Sequence, residues 1–158
     1  MTDHVGGGTL TLAADLTISR MGYGAMQLTA SRATGAPRDR DQAIAVLREA
    51  VASGYDVVVT TGGTGLTPAD LTPEMTRRVI EREVPGIAEA ARGAGAAAGV
   101  PSAILSRGVA GVAGRTLIVN LPGSAGGVRD GMAVLGPVLA HAISQINGGD
   151  HVRVSSGA

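Results

Sequence analysis

Twice in this chain a short apolar run breaks into a glycine-rich turn and then into a helix-like pattern. The first is Val57-Val58-Val59-Thr60-Thr61-Gly62-Gly63-Thr64-Gly65, followed by Asp70 and Thr72-Pro73-Glu74. The second is Leu117-Ile118-Val119, then Asn120-Leu121-Pro122-Gly123-Ser124-Ala125-Gly126-Gly127, then Val128, Met132, Leu135, Leu139, Ala142 and Ile146 at helical spacing. Strand, glycine loop and helix, repeated in that order, predict an open α/β sheet. Ligands of such sheets bind beyond the carboxyl ends of the strands, where both loops fall. A turn that presents backbone N–H groups, with a carboxylate and a helix start close behind, suits a phosphate and its metal. The chain therefore carries a small-molecule site for a phosphorylated ligand.

Composition narrows the chemistry. A chain of 158 residues is long enough for one domain with a real core, and 44% are hydrophobic, yet there is no Phe or Trp and there are two Tyr. The core is thus expected to be built from Ala, Val, Leu and Ile. All 13 basic residues are arginines, which removes Schiff-base chemistry, pyridoxal phosphate attachment and a P-loop lysine. The absence of cysteine removes disulfides, thiolate nucleophiles and zinc–sulfur sites. Thirteen acids balance the arginines, so no broad nucleic-acid-binding field is expected, and base-stacking aromatics are lacking. No apolar run approaches a membrane span and the N-terminus lacks a signal-peptide core, so the chain reads as cytoplasmic.

Local patterns divide the chain into an atypical N-terminal segment (1–40), a domain (41–151) and a tail (152–158). Leu10 to Leu12 and Leu16 to Ile18 predict a hairpin, and residues 29 to 40 a polar loop. A helix is expected over Asp41 to Ser53, with Gly54 past its end, followed by a strand from Asp56 to Thr60. Thr72 is expected to cap a helix running to about Arg82, and Pro85 to start another through Arg92. Gly93 to Val100 reads as a helix tail and turn; its GxGxxxG spacing is expected by chance in a chain so rich in Gly and Ala. Ala103 to Leu105 and Arg115 to Val119 are further strand candidates, and Gly136-Pro137 is expected to kink the last helix.

Each site candidate has a plainer alternative. Gly62 to Gly65 could be a tight turn, although the hydroxyls of Thr60, Thr61 and Thr64 and the repeat of the architecture at 120–127 favour a ligand. Asp70 is either a metal-binding carboxylate or a solvated turn residue. Asp39 and Asp41 flank a helix start and are caps or metal ligands. His4, His141 and His151 have no ligand spacing, and Arg107 is as readily a structural salt bridge as a ligand contact.

From about residue 54 to 151, the segments TTGGTGLTPADLTPE, REVPGIAEA, LSRGVAG, GRTLIVNLPGS and GGVRDG resemble the molybdopterin-binding family, whose best-known activity is molybdopterin adenylyltransferase. The resemblance implies a three-layer α/β/α domain, trimeric or hexameric, that binds molybdopterin and transfers AMP to it from Mg-ATP. Carried over residue by residue, it puts Thr61, Gly62, Gly63, Thr64 and Gly65 in the phosphate and pterin site, and Ser106, Leu121, Pro122, Gly123 and Ser124 around the pterin. Asp70 becomes the essential, Mg²⁺-linked catalytic carboxylate, and either Asp39 or Asp41, of which Asp39 is favoured, stands in for the acidic residue that the family carries before its second helix.

The front of the chain departs from that pattern. Gly8 to Thr11 and Asp15 to Leu28, continuing towards Ala52, resemble the opening of an aldo/keto reductase. The catalytic constellation of that family is absent, and a lysine cannot come from a chain without one, so reductase activity is not expected. The chain reads as a splice of two families, natural or engineered, in which a hairpin replaces the first strand of the molybdopterin-binding sheet. The alternatives to an active enzyme are a pterin-binding protein that has lost turnover and a chimera of the same fold without a function of its own.

Overall fold

A computed structural model describes the backbone of residues 9–13, 16–19 and 22–24, and residues 40–149 in full. Strands β1 (Thr9–Ala13) and β2 (Leu16–Ser19) pair antiparallel as a separate two-stranded sheet. The expected hairpin is present, but it does not take the place of a strand in the main sheet. That edge is filled by β3 (Gly22–Gly24), which runs parallel to β4 (Val57–Thr61). The remaining strands are β5 (Arg82–Glu83), β6 (Ala110–Ala113) and β7 (Thr116–Leu121), and the main sheet has the order β3-β4-β7-β6-β5. Strands β3, β4 and β7 are parallel, whereas β6 and β5 are antiparallel to their neighbours.

Side-chain alternation sends β4 and β7 to two helical layers. Val58 and Ile118 pack with Leu47 and Ala50 of α1 (Arg40–Ala52) on one face. Val57, Leu117, Val119 and Leu121 pack on the other face against Leu135, Leu139 and Ile143 of α4 (Ala125–Ile146). The short α2 (Thr72–Arg77) lies with α1 through Met75, and α3 (Pro85–Ala97) lies beside α4. The result is the expected three-layer α/β/α architecture, with an aliphatic core. Thr61 is paired with Leu121, so β4 and β7 end side by side and release their glycine loops at one edge of the sheet.

Several boundaries differ from the sequence reading, each for a non-local reason. Helix α2 stops at Arg77, because the chain must turn to lay Arg82–Glu83 on β6. Helix α3 continues to Ala97, through the Gly/Ala tract read as a tail. Ala103 to Leu105 belongs to a 3-10 turn (Pro101–Leu105) rather than a strand. Strand β6 has no alternation to announce it: all four residues are buried between β5 and β7. It joins β7 through Gly114-Arg115, where Gly114 supplies a φ of +55° that the tight hairpin requires. Helix α4 continues through Pro137, so the missing N–H removes a hydrogen bond without ending the helix.

Candidate functional site

The first loop is shaped by two left-handed glycines, Gly62 at φ +88° and Gly63 at φ +65°. The Gly62 N–H donates to the Leu121 carbonyl at 3.0 Å, extending the β4–β7 ladder by one bond. The carbonyls of Gly62 and Gly63 are turned back onto the start of α2. There the Thr72 hydroxyl donates to Gly62 O at 2.9 Å and the Thr72 N–H to Gly63 O at 3.1 Å. Thr72 is therefore a tie between loop and helix rather than the expected cap, which is Leu71. With both carbonyls withdrawn, the N–H groups of Gly63, Thr64 and Gly65 have no hydrogen-bond acceptor among the described residues.

Asp70 closes the loop. Its Oδ2 accepts from the Thr67 hydroxyl at 2.7 Å and the Thr67 N–H at 3.0 Å, which is the turn reading. The same carboxylate lines the cleft, so turn and site readings hold together. A Cβ at position 65 would lie 2.7 Å from Asp70 Oδ2, so glycine there is what admits the carboxylate.

The second loop faces the first. Ser124 caps α4, its Oγ accepting from Gly127 N–H at 3.1 Å. The N–H groups of Ala125 and Gly126 have no acceptor among the described residues, as at any helix start. A Cβ at Gly123 would come within 3.1 Å of Gly62 Cα, so the two loops touch glycine to glycine. The positive end of a 22-residue helix and the free N–H groups of the 62–65 turn thus open on the same space.

That space is a cleft of about 860 Å³. Gly62 to Leu66 and Asp70 form one side, and Pro122 to Ser124, Gly126, Gly127 and Asp130 another. Ala88, Ala91, Arg92 and Gly95 of α3, residues from Val100 to Ser106, Gly108 and Asn120 complete it. Of the residues expected in the site, Gly62, Gly63, Thr64, Gly65, Asp70, Ser106, Pro122, Gly123 and Ser124 converge here, and Ser106 Oγ donates to Thr64 Oγ1 at 3.2 Å. Thr61 and Leu121 do not line it. Thr61 is the last residue of β4, and Leu121 is 1% exposed, its methyl lying where a Cβ at Gly131 would come within 2.5 Å. Asp39, His4 and His151 lie outside the described residues, Asp41 sits in the first turn of α1 and His141 is exposed on α4.

Two residues of the site, Arg92 and Asp130, escaped the sequence reading, and Asn120, read there as opening the second glycine loop, lies within β7 instead. Arg92 holds its wall by donating at 3.2 Å to the carbonyls of both Ser106 and Gly108. Asp130 adds a second carboxylate; its spacing of four and three residues from Gly126 and Gly127 is the signal that could have placed it on the cleft side of α4. Asn120, 4% exposed, donates to Thr60 Oγ1 at 2.8 Å and Thr76 Oγ1 at 2.9 Å and accepts from Val109 N–H at 3.3 Å. It joins β4, β7, α2 and the approach to β6 beneath the cleft.

Arg107 follows its salt-bridge reading. It pairs with Glu74 and also donates from Nε to Gly65 O at 2.7 Å and from a terminal nitrogen to Asp70 O. Partial burial pushes the Glu74 carboxyl up, but the hydrogen bond and charge of Arg107, a backbone donor and Arg77 outweigh it and hold the carboxyl below its usual range.

Among the described residues no three or more His, Asp or Glu side chains are grouped to hold a metal. A divalent cation here would be shared between Asp70 and the ligand's own phosphate oxygens, a donor set that suits Mg²⁺. No described helix is long and apolar enough to cross a membrane.

Parallel strands that release two glycine loops and a helix N-terminus into one small-walled cleft define an α/β domain whose cleft is built to suit an anion. The comparisons give that class its family: residues 25–141 match the family described as "Probable molybdopterin binding domain". The chain belongs to this molybdopterin-binding family of molybdenum cofactor biosynthesis proteins. It is 41% identical over 93 residues to a molybdopterin adenylyltransferase of Helicobacter pylori, covering 59% of this chain and 52% of that protein. It is 32% identical over 151 residues to a molybdenum cofactor biosynthesis bifunctional protein of Chlorobaculum tepidum, covering 96% of this chain and 48% of that one. The chain thus spans about half the length of these two relatives. Among solved structures, a molybdopterin biosynthesis protein from Mycobacterium abscessus superposes with a TM-score of 0.66 at 51% identity, covering 70% of each chain. The molybdopterin biosynthesis Mog protein from Mycobacterium ulcerans gives 0.64 at 54% identity, over 66% of this chain and 68% of that one.

Proposed function

We propose that this chain is a molybdopterin adenylyltransferase that binds molybdopterin and ATP and joins AMP to the pterin's phosphate. The observation that carries the reading is the convergence of the Gly63 to Gly65 N–H groups, the N-terminus of α4 and the Asp70 carboxylate on one cleft. In the reaction, an oxygen of the pterin phosphate attacks the α-phosphorus of ATP. The new phosphorus–oxygen bond forms as the bond to pyrophosphate breaks, and pyrophosphate carries away the electron pair. No protein nucleophile is needed, which agrees with a chain that has neither lysine nor cysteine.

The residues act by holding charge and position. Backbone N–H groups of Gly63, Thr64 and Gly65 and the start of α4 at Ser124 hold phosphate oxygens, while Ser106, Pro122 and Gly123 border the pterin. Asp70 binds Mg²⁺ together with substrate phosphates, and the ion when bound offsets charge on the phosphate being transferred. Asp39 is proposed as a second catalytic carboxylate on its position in the sequence. Exposed Leu66, Val100, Ile104 and Leu105 beside the cleft support a homo-oligomer; a trimer or hexamer, and a cytoplasmic location, are proposed from the sequence reading alone.

The test is pyrophosphate release and formation of adenylylated molybdopterin from molybdopterin and Mg-ATP. Pterin binding without turnover would replace this reading by the non-catalytic one. Neither binding nor turnover would remove both.

A further inference from the structure

We infer that Arg107 is a positioning residue that clamps the glycine loop and the Asp70 turn into their working shape; its catalytic meaning rests on the adenylyl-transfer reading above. Every hydrogen bond described for this residue goes to one segment, residues 64–74. Its backbone N–H donates to Thr64 O at 2.8 Å and its Nε to Gly65 O at 2.7 Å. One terminal nitrogen reaches Asp70 O and the other the Glu74 carboxylate. A single guanidinium thus bonds the residues on both sides of Leu66 to Ala69 and anchors to the helix that follows.

The need for such a clamp is visible in the loop. Leu66, Thr67, Pro68 and Ala69 are all exposed, so no core packing holds them. Apart from Arg107, the bonds within this turn are those between Thr67 and Asp70, and Thr72 ties only the outer ends of the loop, to Gly62 O and Gly63 O. Arg107 is not among the residues lining the cleft, so it acts on a ligand through the loop and not by contact. The planar fork matters more than the charge, because three acceptors in different directions are met at once; a lysine could meet one or two of them.

The experiment compares wild type, Arg107→Met and Arg107→Lys in the full chain, with two readouts. In amide hydrogen exchange, Thr67, Asp70 and Thr72 are expected to exchange about tenfold faster or more in Arg107→Met, while Leu117 and Ile118 of β7 stay at the wild-type rate. Arg107→Lys is expected to leave most of that acceleration in place. In turnover with molybdopterin and Mg-ATP, kcat is expected to fall about tenfold to a hundredfold, with KM for Mg-ATP moving less than about threefold. In an Asp70→Asn background the same Arg107→Met change is expected to cost less than about threefold more, because the carboxylate it positions is gone.

Unchanged loop exchange in Arg107→Met would overturn the clamp. So would equal acceleration in β7, which would make the residue a general stabiliser. A full loss repeated in the Asp70→Asn background would overturn its action through Asp70. If the wild-type chain does not transfer AMP, the functional reading fails, and the exchange experiment still decides whether Arg107 holds the loop.

Discussion

Replacing Asn120 with the similarly shaped Leu is expected to destabilise the fold by about 3 to 6 kcal/mol. Both amide hydrogens are used, on the hydroxyls of Thr60 and Thr76, and the amide oxygen takes the Val109 N–H. Both threonines are 0% exposed, so no water is at hand to replace the lost partner. Each buried group left unpaired costs about 1 to 3 kcal/mol, and the 3.3 Å bond to Val109 belongs at the low end. Such a loss is a large part of the roughly 5 to 15 kcal/mol that holds a domain folded. In urea, with a slope near about 2 kcal/mol per molar, the midpoint should fall by about 1.5 to 3 M. The control is the triple variant Thr60→Val, Thr76→Val, Asn120→Leu. Removing the hydroxyls with their partner should recover more than half of the loss, since apolar groups of the same shape need no hydrogen bonds. A midpoint within about 0.5 M of wild type for Asn120→Leu, or no recovery in the triple variant, would refute the reasoning.

Asp70→Asn should keep the fold, because the amide oxygen can still accept from Thr67, yet lower Mg-dependent adenylyl transfer about a hundredfold or more; initial rates of pyrophosphate release check it. Gly63→Val forces a β-branched residue to a φ of +65° and should cost about 1 to 3 kcal/mol, seen as a lower melting temperature together with weaker pterin binding. Glu74→Gln removes a carboxylate held below its usual range, so its contribution is present above the unfolded-state pKa and lost as pH falls through the folded-state value. The melting difference from wild type should be small, at most about 1 kcal/mol for this half-exposed pair, and should close as pH falls below the ordinary glutamate range.

Features with local causes were legible in the sequence. Valines that run into Gly62 and Gly63 announce a strand and a left-handed turn, and the order of strand, glycine loop and helix was readable because each piece is set by its own residues. So was the coincidence of both loops at one end of the sheet, which follows once β4 and β7 are parallel. Most of the expected site residues meet in the cleft for the same reason. Strand β6 was not legible, since Ala110-Gly111-Val112-Ala113 lacks alternation and becomes a strand by lying between β5 and β7. Nor was the inward turn of Leu121, one residue before a loop whose next member, Pro122, does line the cleft.

The sequence by itself determined an aliphatic α/β domain without lysine or cysteine chemistry and with two anion-ready glycine turns, because composition and backbone preference act residue by residue. Tertiary structure decided which polar side chains serve those turns. Asn120 meets Thr60 across 60 residues, Arg107 meets Gly65 across 42 and Arg92 meets Ser106 across 14. Such partners have no sequence period to mark them: a hydrogen bond is satisfied by whichever group the packed layers bring within reach, and only the folded sheet sets that reach.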